Sequence, residues 1–395
     1  MCKAYLVTIR GDTKPSIIVV GQNGLVTYDA FLLLSFGGPE GPDDVIPFLE
    51  NVTRGRGVPP ERLAEVAEHY RHFGGVSPIN DQCRALLAAL DGRLDLPIYW
   101  GNRNWHPMLA DTLEKMRGDG VRRAIAFVTS PYGGYSSCRQ YWEDIAKARE
   151  AVGDGAPEID KIRHYHDHPG FIEPFADGVR AAMTPGARLV FTAHSIPTTM
   201  DTHAGPGAGA VWTEEGRERS DRTDEGRPYP EGPGARARGG ERQQQSAGGF
   251  RYSNQLKETA RLVAEAAGVA EWDLVWQSRS GPPSVPWLEP DVNDHLDALA
   301  KEGVTAVVAA PIGFISDHLE VIWDLDNEAA ETAAGLGIDW RRAPTPGVDP
   351  RFVDLVVELV AERVSGAPRR KLGEIPVWDA CPAVGCCTIP RRTHG

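Results

Sequence analysis

The residues best suited to chemistry lie where two apolar segments of the sequence give way to polar loops. His194 ends the segment LVFTAH, and an imidazole can accept or release a proton near neutral pH. Glu320, Asp324 and Glu328 follow a second apolar segment, TAVVAAPIGF. Carboxylates spaced four apart share one face of a helix. This row predicts a solvated acidic face, a path for a divalent cation or a proton relay.

The cysteines form a second group with possible chemistry. Three of the six lie within seven residues near the end of the chain, at Cys381, Cys386 and Cys387. Thiolates this close together favour a soft-metal site. A four-thiolate site needs one more ligand from elsewhere in the chain, and the bound group is then an iron–sulfur cluster or a structural zinc.

The elements that position these side chains alternate between strands and helices. Short apolar runs typical of buried parallel strands lie at 28–38, 96–103, 122–134, 187–195, 273–281 and 305–314. Helical patterns lie between several of them, at 61–73, 140–152, 254–268 and 292–303. The alternation predicts an α/β fold with two similar lobes. Because ligands bind beyond the carboxyl ends of parallel strands, we expect His194 and Glu320 to face one cleft.

The chain divides into segments of different character. We predict an N-terminal extension at 1–27, whose Val- and Ile-rich runs suit a small extra strand pair. The two lobes then span 28–185 and 186–372, and a cysteine-bearing tail spans 373–395. Residues 201–249 are rich in Gly, Arg, Pro and Glu, which predicts a disordered insertion in the second lobe.

The bulk composition excludes several classes of protein. A formal net charge of −13 over 395 residues argues against nucleic-acid binding. No apolar stretch approaches the roughly 20 residues that a transmembrane segment needs, and the start of the chain lacks a signal-peptide pattern. We therefore expect a cytoplasmic protein with reduced thiols, present as a monomer or a weak dimer.

Several sequence blocks resemble those of the ferrochelatase family, in the same order. They are LLLSFGGPE, FGGVSPIN, FTAHSIP, SNQL and PIGFISDHLEVIWDLDNEA, and the likeness covers about 28–372 without the insertion. The resemblance implies two Rossmann-like lobes, each a four-stranded parallel sheet flanked by helices. It also implies a lyase of haem biosynthesis, which inserts Fe²⁺ into a porphyrin.

The resemblance implies roles for individual residues. His194 would accept the pyrrole protons with Glu320 as its catalytic partner, because iron enters the ring only as two N–H protons leave. The predicted ligands of the substrate iron are His194, Glu320, Asp324 and Glu328. The predicted porphyrin-binding positions are Phe36, Arg54, Ser77 and Tyr141. Some bacterial relatives have a Tyr where Phe36 stands, and a phenyl ring cannot ligate iron.

The resemblance also identifies a fourth cysteine, since Cys138 matches the internal cysteine of cluster-bearing ferrochelatases. It thereby implies a 2Fe–2S cluster held by Cys138, Cys381, Cys386 and Cys387. A cluster on an acidic chain resembles the actinobacterial branch, whose members convert coproporphyrin III to coprohaem III. The alternatives are a protoporphyrin IX ferrochelatase, a cobalt or nickel chelatase, and a non-catalytic haem or iron carrier on the same fold.

Overall fold

The computed structural model describes most of the chain. The described residues are 7–8, 17–21, 24–55, 57–205, 250–281, 284–378 and 386–387. Most of the predicted insertion, at 206–249, and the predicted ligand Cys381 lie outside them. Within the described residues, no helix has both the length and the apolar character that a membrane span requires.

The chain begins with a small antiparallel sheet. Its strands are β1 (Val7–Thr8), β2 (Ile17–Gly21) and β3 (Gly24–Tyr28). β1 pairs with β2, which confirms the predicted strand pair, and β3 adds a third strand. Tyr28 then ties the sheet to the first lobe, because its hydroxyl donates a 2.7 Å hydrogen bond to Asp160.

The first lobe is built on a parallel sheet of four strands in the order β5-β4-β6-β7. The strands are β4 (Ala30–Ser35), β5 (Ile98–Asn102), β6 (Arg123–Val128) and β7 (Glu158–Lys161). The helices of this lobe are α1 (Val45–Val52), α2 (Pro60–His72), α3 (Ile79–Leu90), α4 (Leu109–Gly118) and α5 (Gln140–Val152). A 3-10 turn at Pro42–Asp44 precedes α1, and a π-helical turn at Tyr135–Arg139 leads into α5.

The second lobe repeats this design with the strand order β11-β10-β8-β9, again all parallel. Its strands are β8 (Arg188–His194), β9 (Trp272–Gln277), β10 (Ala306–Ala310) and β11 (Asp339–Arg342). The helices from here onward are α6 (Pro169–Ala182), α7 (Thr198–Thr202), α8 (Tyr252–Ala267), α9 (Val292–Lys301), α10 (Leu319–Val321), α11 (Ala329–Leu336) and α12 (Pro350–Ser365). A π-helical segment, Ile322–Glu328, joins α10 to α11.

This architecture confirms the predicted fold class. Each lobe has one strand that the sequence does not reveal, β7 with the residues EIDK and β11 with DWRR. Both lie at the edge of their sheet. The charged residues of these two short strands leave no apolar run to detect, although Asp160 and Lys161 of β7 are buried.

One hydrophobic cluster spans the two lobes, and each lobe has a further cluster of its own. Phe127 of β6 stacks on Tyr165 with ring centroids 4.9 Å apart, and Tyr165 meets Phe352 of α12 at 6.2 Å. At the carboxyl ends of the sheets, the Tyr132 hydroxyl donates a 2.7 Å hydrogen bond to the Ile312 carbonyl. The loops that follow β6 and β10 are therefore held together across the lobe boundary.

Gly313, in the loop after β10, packs against the end of β8, which carries His194. A Cβ at Gly313 would lie 2.8 Å from the Cα of Ala193 and 3.5 Å from the backbone nitrogen of His194. Gly313→Ala must therefore push the end of β8 aside, and we expect it to lower the free energy of unfolding by about 1–3 kcal/mol, measured by urea denaturation.

Gly335→Ala is the matched control. Gly335 lies in α11, and a Cβ there would meet nothing within 4 Å. Alanine has the higher helix propensity, so this variant should gain about 0.5–1 kcal/mol. Equal stability of the Gly313→Ala variant and the unsubstituted protein would contradict the tight approach.

Candidate functional site

His194 is the last residue of β8 and reaches into the space beyond the sheet, with 35% of its side chain exposed. Its Nδ1 lies 2.5 Å from the carbonyl oxygen of Ser195. A carbonyl can only accept, so Nδ1 carries the proton and the Nε2 lone pair is left available. Ser195 is itself held by a hydrogen bond from its N–H to Gln277 of the adjacent strand β9, at 2.8 Å. The backbone of the strand end thus sets the tautomer of the imidazole.

Glu320 faces this imidazole from the first turn of α10. Its Oε2 lies 4.0 Å from His194 Nε2, and 47% of its side chain is exposed. A carboxylate in the first turn of a helix is favoured by the exposed N–H groups there. The structure therefore brings together the two residues that the sequence placed at separate strand ends, and it leaves both accessible.

The carboxylate row continues from Glu320 along the π-helical segment. The Ala329 N–H donates to the carbonyl of Asp324, five residues back, as a π-helix requires. Glu320 and Glu328 at the two ends are exposed, whereas Asp324 between them is largely buried. The row therefore runs from the protein surface, through an enclosed position, to the edge of the His194 site.

The pKa of Asp324 is raised to about 7, and burial is the largest cause. The negative charges of Glu320 and Glu328 contribute to this rise, while hydrogen bonds from two residues at the end of β9 oppose it. These are the Ser278 hydroxyl and the Gln277 side-chain amide, the latter at 3.2 Å. Asp324 therefore changes its charge near neutral pH, where an ordinary carboxyl is fully ionised.

Helix α2 of the first lobe covers the row. The imidazole of His69 stacks on Trp323 at 3.9 Å with nearly parallel planes. Tyr70 is buried beside the row, and burial together with the charges of Glu320 and Asp324 raises the pKa of its hydroxyl well above the usual value. Leu319 packs in the same apolar cluster as Tyr70. The site is thus formed by both lobes.

Sequence reasoning missed three of these neighbours, Tyr70, Gln277 and Ser278. The latter two lie at the predicted strand end VWQSRSG, where a polar role could have been suspected. Tyr70 sits in an ordinary helical pattern, and no spacing relates α2 to a segment some 250 residues later.

The predicted porphyrin-binding residues fall into two groups. Phe36 and Tyr141 both lie close to Arg103, whose guanidinium is 5.7 Å from the first ring and 4.4 Å from the second. Tyr141 is buried, and burial raises the pKa of its hydroxyl. Ser77 is buried beneath the turn after β4, where its N–H donates to Pro39, and Arg54 is exposed just past α1.

The described cysteines of the tail are buried against the second lobe. Cys386 and Cys387 have their Sγ atoms 3.8 Å apart and pack with Phe250. The Gly205 N–H donates to Cys387 Sγ at 3.1 Å. Hydrogen bonding with Cys386 and Gly205, together with the positive charges of Lys161 and Arg139, lowers the pKa of the Cys387 thiol to about 7.

Cys138 shares one of these cations. It lies in the π-helical turn before α5, and the Lys161 ammonium donates to its Sγ at 3.3 Å and to its carbonyl at 3.2 Å. Lys161 is itself buried at the end of β7. Cys138 and Cys387 therefore lie within electrostatic reach of the same buried ammonium, although they are far apart in sequence.

The protonation of Asp324 predicts how stability depends on pH. In the unfolded chain this carboxyl titrates near its ordinary pKa of 3.8, and in the folded protein near 7. Between these values only the folded state keeps the proton, so the free energy of unfolding falls as the pH rises from about 4 to 7. Asp324→Asn removes this dependence and should be about 2–4 kcal/mol more stable than the unsubstituted protein at pH 8.

Urea unfolding at several pH values measures the effect. Asp297→Asn, on the exposed face of α9, is the control and should follow the unsubstituted protein at every pH. If the Asp324→Asn profile also runs parallel to that of the unsubstituted protein, Asp324 is ionised in the fold and the assignment is wrong.

Comparisons with known proteins identify the family to which this chain belongs. The family model described as Ferrochelatase matches residues 28–364. A protein of Nocardia farcinica named coproporphyrin III ferrochelatase is 53% identical over 381 residues, 92% of this chain and 97% of the relative. A protein of the same name from Mycobacteroides abscessus is 53% identical over 359 residues, 89% of this chain and 93% of the relative.

Among solved structures, SirB from Bacillus subtilis with Fe3+ is 11% identical, with 86% of this chain and 97% of that chain covered and a TM-score of 0.47. That likeness is too distant to carry an argument. The family model and the two relatives cover most of this chain, so the chain belongs to the ferrochelatase family.

Proposed function

We propose that this protein inserts Fe²⁺ into coproporphyrin III to give coprohaem III. The observation that carries the proposal is the accessible lone pair of His194 Nε2, 4.0 Å from the Glu320 carboxylate. The substrate is supported by relatives named coproporphyrin III ferrochelatase, such as the one that this chain matches over 97% of its length.

Proton removal is the step that this geometry serves. Two pyrrole N–H protons must leave as iron enters, and His194 Nε2 accepts them in turn because Nδ1 is already protonated against the Ser195 carbonyl. The imidazolium so formed is stabilised by the nearby Glu320 carboxylate. Both side chains are exposed, so the proton can return to water before the next one is taken.

The carboxylate row suits the delivery of the substrate iron. Glu328 is exposed at the outer end, Asp324 is enclosed, and Glu320 adjoins His194. Carboxylates bind hard and borderline divalent ions and replace part of their water. With its pKa near 7, Asp324 can release a proton when the ion arrives and regain one when it leaves, so the exchange offsets one of the two positive charges of the ion.

The porphyrin would lie between the lobes near Phe36, Arg54, Ser77 and Tyr141, of which Ser77 and Tyr141 are buried and would support the wall of the site. Arg54 is exposed and offers its guanidinium to a propionate carboxylate. The phenyl ring of Phe36 has no atom that can bind iron, so Phe36 supplies no ligand to the iron in the porphyrin.

We further propose that the lobes at 28–185 and 186–372 act together as a monomer or weak dimer in the cytoplasm. The described cysteines Cys83, Cys138, Cys386 and Cys387 are thiols, not disulfides, which suits a reducing compartment.

An insertion assay tests the function. Ferrous iron is offered with coproporphyrin III or with protoporphyrin IX, and product is followed by absorbance. We expect coproporphyrin III to be preferred at least about tenfold in kcat/KM, because it carries two more propionates for charge-assisted hydrogen bonds. His194→Ala should lower the insertion rate about 100- to 10,000-fold while porphyrin binding, measured by fluorescence, persists.

His203→Ala, at an exposed position after α7, is the control and should keep full activity. Normal turnover in His194→Ala would eliminate the base, and equal use of both porphyrins would eliminate the substrate assignment. Tight haem binding without insertion of iron into either porphyrin would identify a carrier instead.

We also propose that Cys138, Cys381, Cys386 and Cys387 hold a 2Fe–2S cluster, which when bound supplies one-electron redox chemistry. Two observations on the described cysteines support this proposal. Two thiolates on one tetrahedral ion, with bonds of about 2.3 Å, lie about 3.8 Å apart, which is the separation of Cys386 and Cys387. The Gly205 N–H and the Lys161 ammonium offset the negative charge of the sulfurs.

The purified protein should accordingly be coloured and contain about two iron atoms and two labile sulfides per chain. Cys138→Ser should lose both, whereas Cys83→Ser should keep both, since Cys83 lies in α3 and burial raises the pKa of its thiol to about 11. Iron, sulfide and zinc analysis measures the outcome. Zinc without sulfide would replace the cluster with a structural zinc site.

A further inference from the structure

A second group of potential metal ligands lies apart from the His194 site. His166 and Asp167 are in the loop between β7 and α6, and Glu258 is on α8. One ligand atom from each lies within 4.8 Å of the others. Neither the proton chemistry nor the proposed cluster uses these residues.

The group is enclosed and incompletely paired. His166 and Asp167 have no exposed surface. Both carboxylate oxygens of Asp167, and Nδ1 of His166, lack a hydrogen-bond partner among the described residues. The Arg163 guanidinium is 3.9 Å from Asp167 but bonds Glu362 through two nitrogens, at 2.6 and 2.9 Å. A buried carboxyl without hydrogen bonds is unfavourable, and burial raises its pKa.

Glu258 is oriented as a metal ligand would be. Its Oε1 accepts hydrogen bonds from the backbone N–H groups of Glu374 and Ile375, at 2.7 and 3.2 Å. Its other oxygen, Oε2, lies 3.2 Å from His166 Nε2. Two ligands of one ion, each about 2.1 Å from it, are about 3.0–3.4 Å apart at octahedral or tetrahedral angles. Hydrogen bonds to the far oxygen are the usual support of a ligating carboxylate.

We propose that His166, Asp167 and Glu258 bind one divalent first-row transition-metal ion, at a site separate from the path of the substrate iron. One imidazole and two carboxylates suit a borderline ion such as Zn²⁺, Fe²⁺ or Mn²⁺. The ion binds the Asp167 oxygens that have no hydrogen-bond partner among the described residues, and its charge offsets those of the two carboxylates.

Such an ion would fasten the C-terminal segment, residues 372–378, to the two lobes. The Leu372 N–H donates to the carbonyl of Asp167 at 2.9 Å, and the segment then bonds Glu258. The same segment continues to Trp378, which packs on Phe250 with ring centroids 4.5 Å apart. The role of the ion is therefore structural, as an anchor where the tail leaves the body.

Binding of Mn²⁺ to the full chain, followed by electron paramagnetic resonance, tests the site, since Mn²⁺ prefers carboxylates and imidazole to thiolates. A Glu320→Gln background weakens uptake at the other carboxylates. Adding Asp167→Asn to this background should remove one equivalent of bound Mn²⁺ or weaken its affinity at least about tenfold. Adding Glu173→Gln instead, at an exposed position on α6, should change neither quantity.

Trypsin provides a second readout of tail anchoring. Arg369, Arg370 and Lys371 are exposed cleavage sites beside the anchored segment. Mn²⁺ should slow cleavage there in the Glu320→Gln protein but not after Asp167→Asn is added.

Unchanged Mn²⁺ uptake and unchanged cleavage in the Asp167→Asn protein would overturn the proposal and leave a hydrogen-bonded polar cluster. If circular dichroism shows that Asp167→Asn does not fold, Glu258→Gln, at the rim of the group, decides the question by the same two criteria. Neither readout depends on chelatase activity.

Discussion

Three carboxylates at intervals of four residues repel one another, and the structure largely buries the middle one, Asp324. This arrangement is tolerable only because Asp324 is supported by the Ser278 hydroxyl and the Gln277 amide and can carry a proton near neutral pH. The other features of the site follow from this constraint. The hydrogen-bonding residues come from the end of β9, and α2 must cover the row to keep water out.

The sequence predicts those parts of the molecule whose signal is local. The apolar runs reveal six core strands, and the spacing of Glu320, Asp324 and Glu328 reveals the row. Parallel strands align their carboxyl ends, which is why His194 and Glu320 could be expected to meet. The edge strands β7 and β11 are not predicted from the sequence, because charged residues replace the apolar run.

Contacts between segments that are far apart in the chain produce no local pattern in the sequence. Lys161 lies on the undetected strand β7, so its contact with Cys138 could not be anticipated from spacing. The same holds for the group around His166 and Asp167, which requires the fold to bring α8 to the β7–α6 loop. The two π-helical turns are equally hidden. One presents Cys138 and the other Asp324, so in both places an extra residue per turn redirects a side chain that chemistry needs.

The places where the chain leaves and re-enters the second lobe around 206–249 are neighbours. Gly205 and Phe250 are in contact, since a Cβ on the glycine would lie 2.7 Å from the phenylalanine ring. Closing a loop between adjacent ends costs an entropy that grows only slowly with its length. In evolutionary terms this is a point where sequence can be gained or lost at little cost to the fold, because the two described ends that flank it are already in contact.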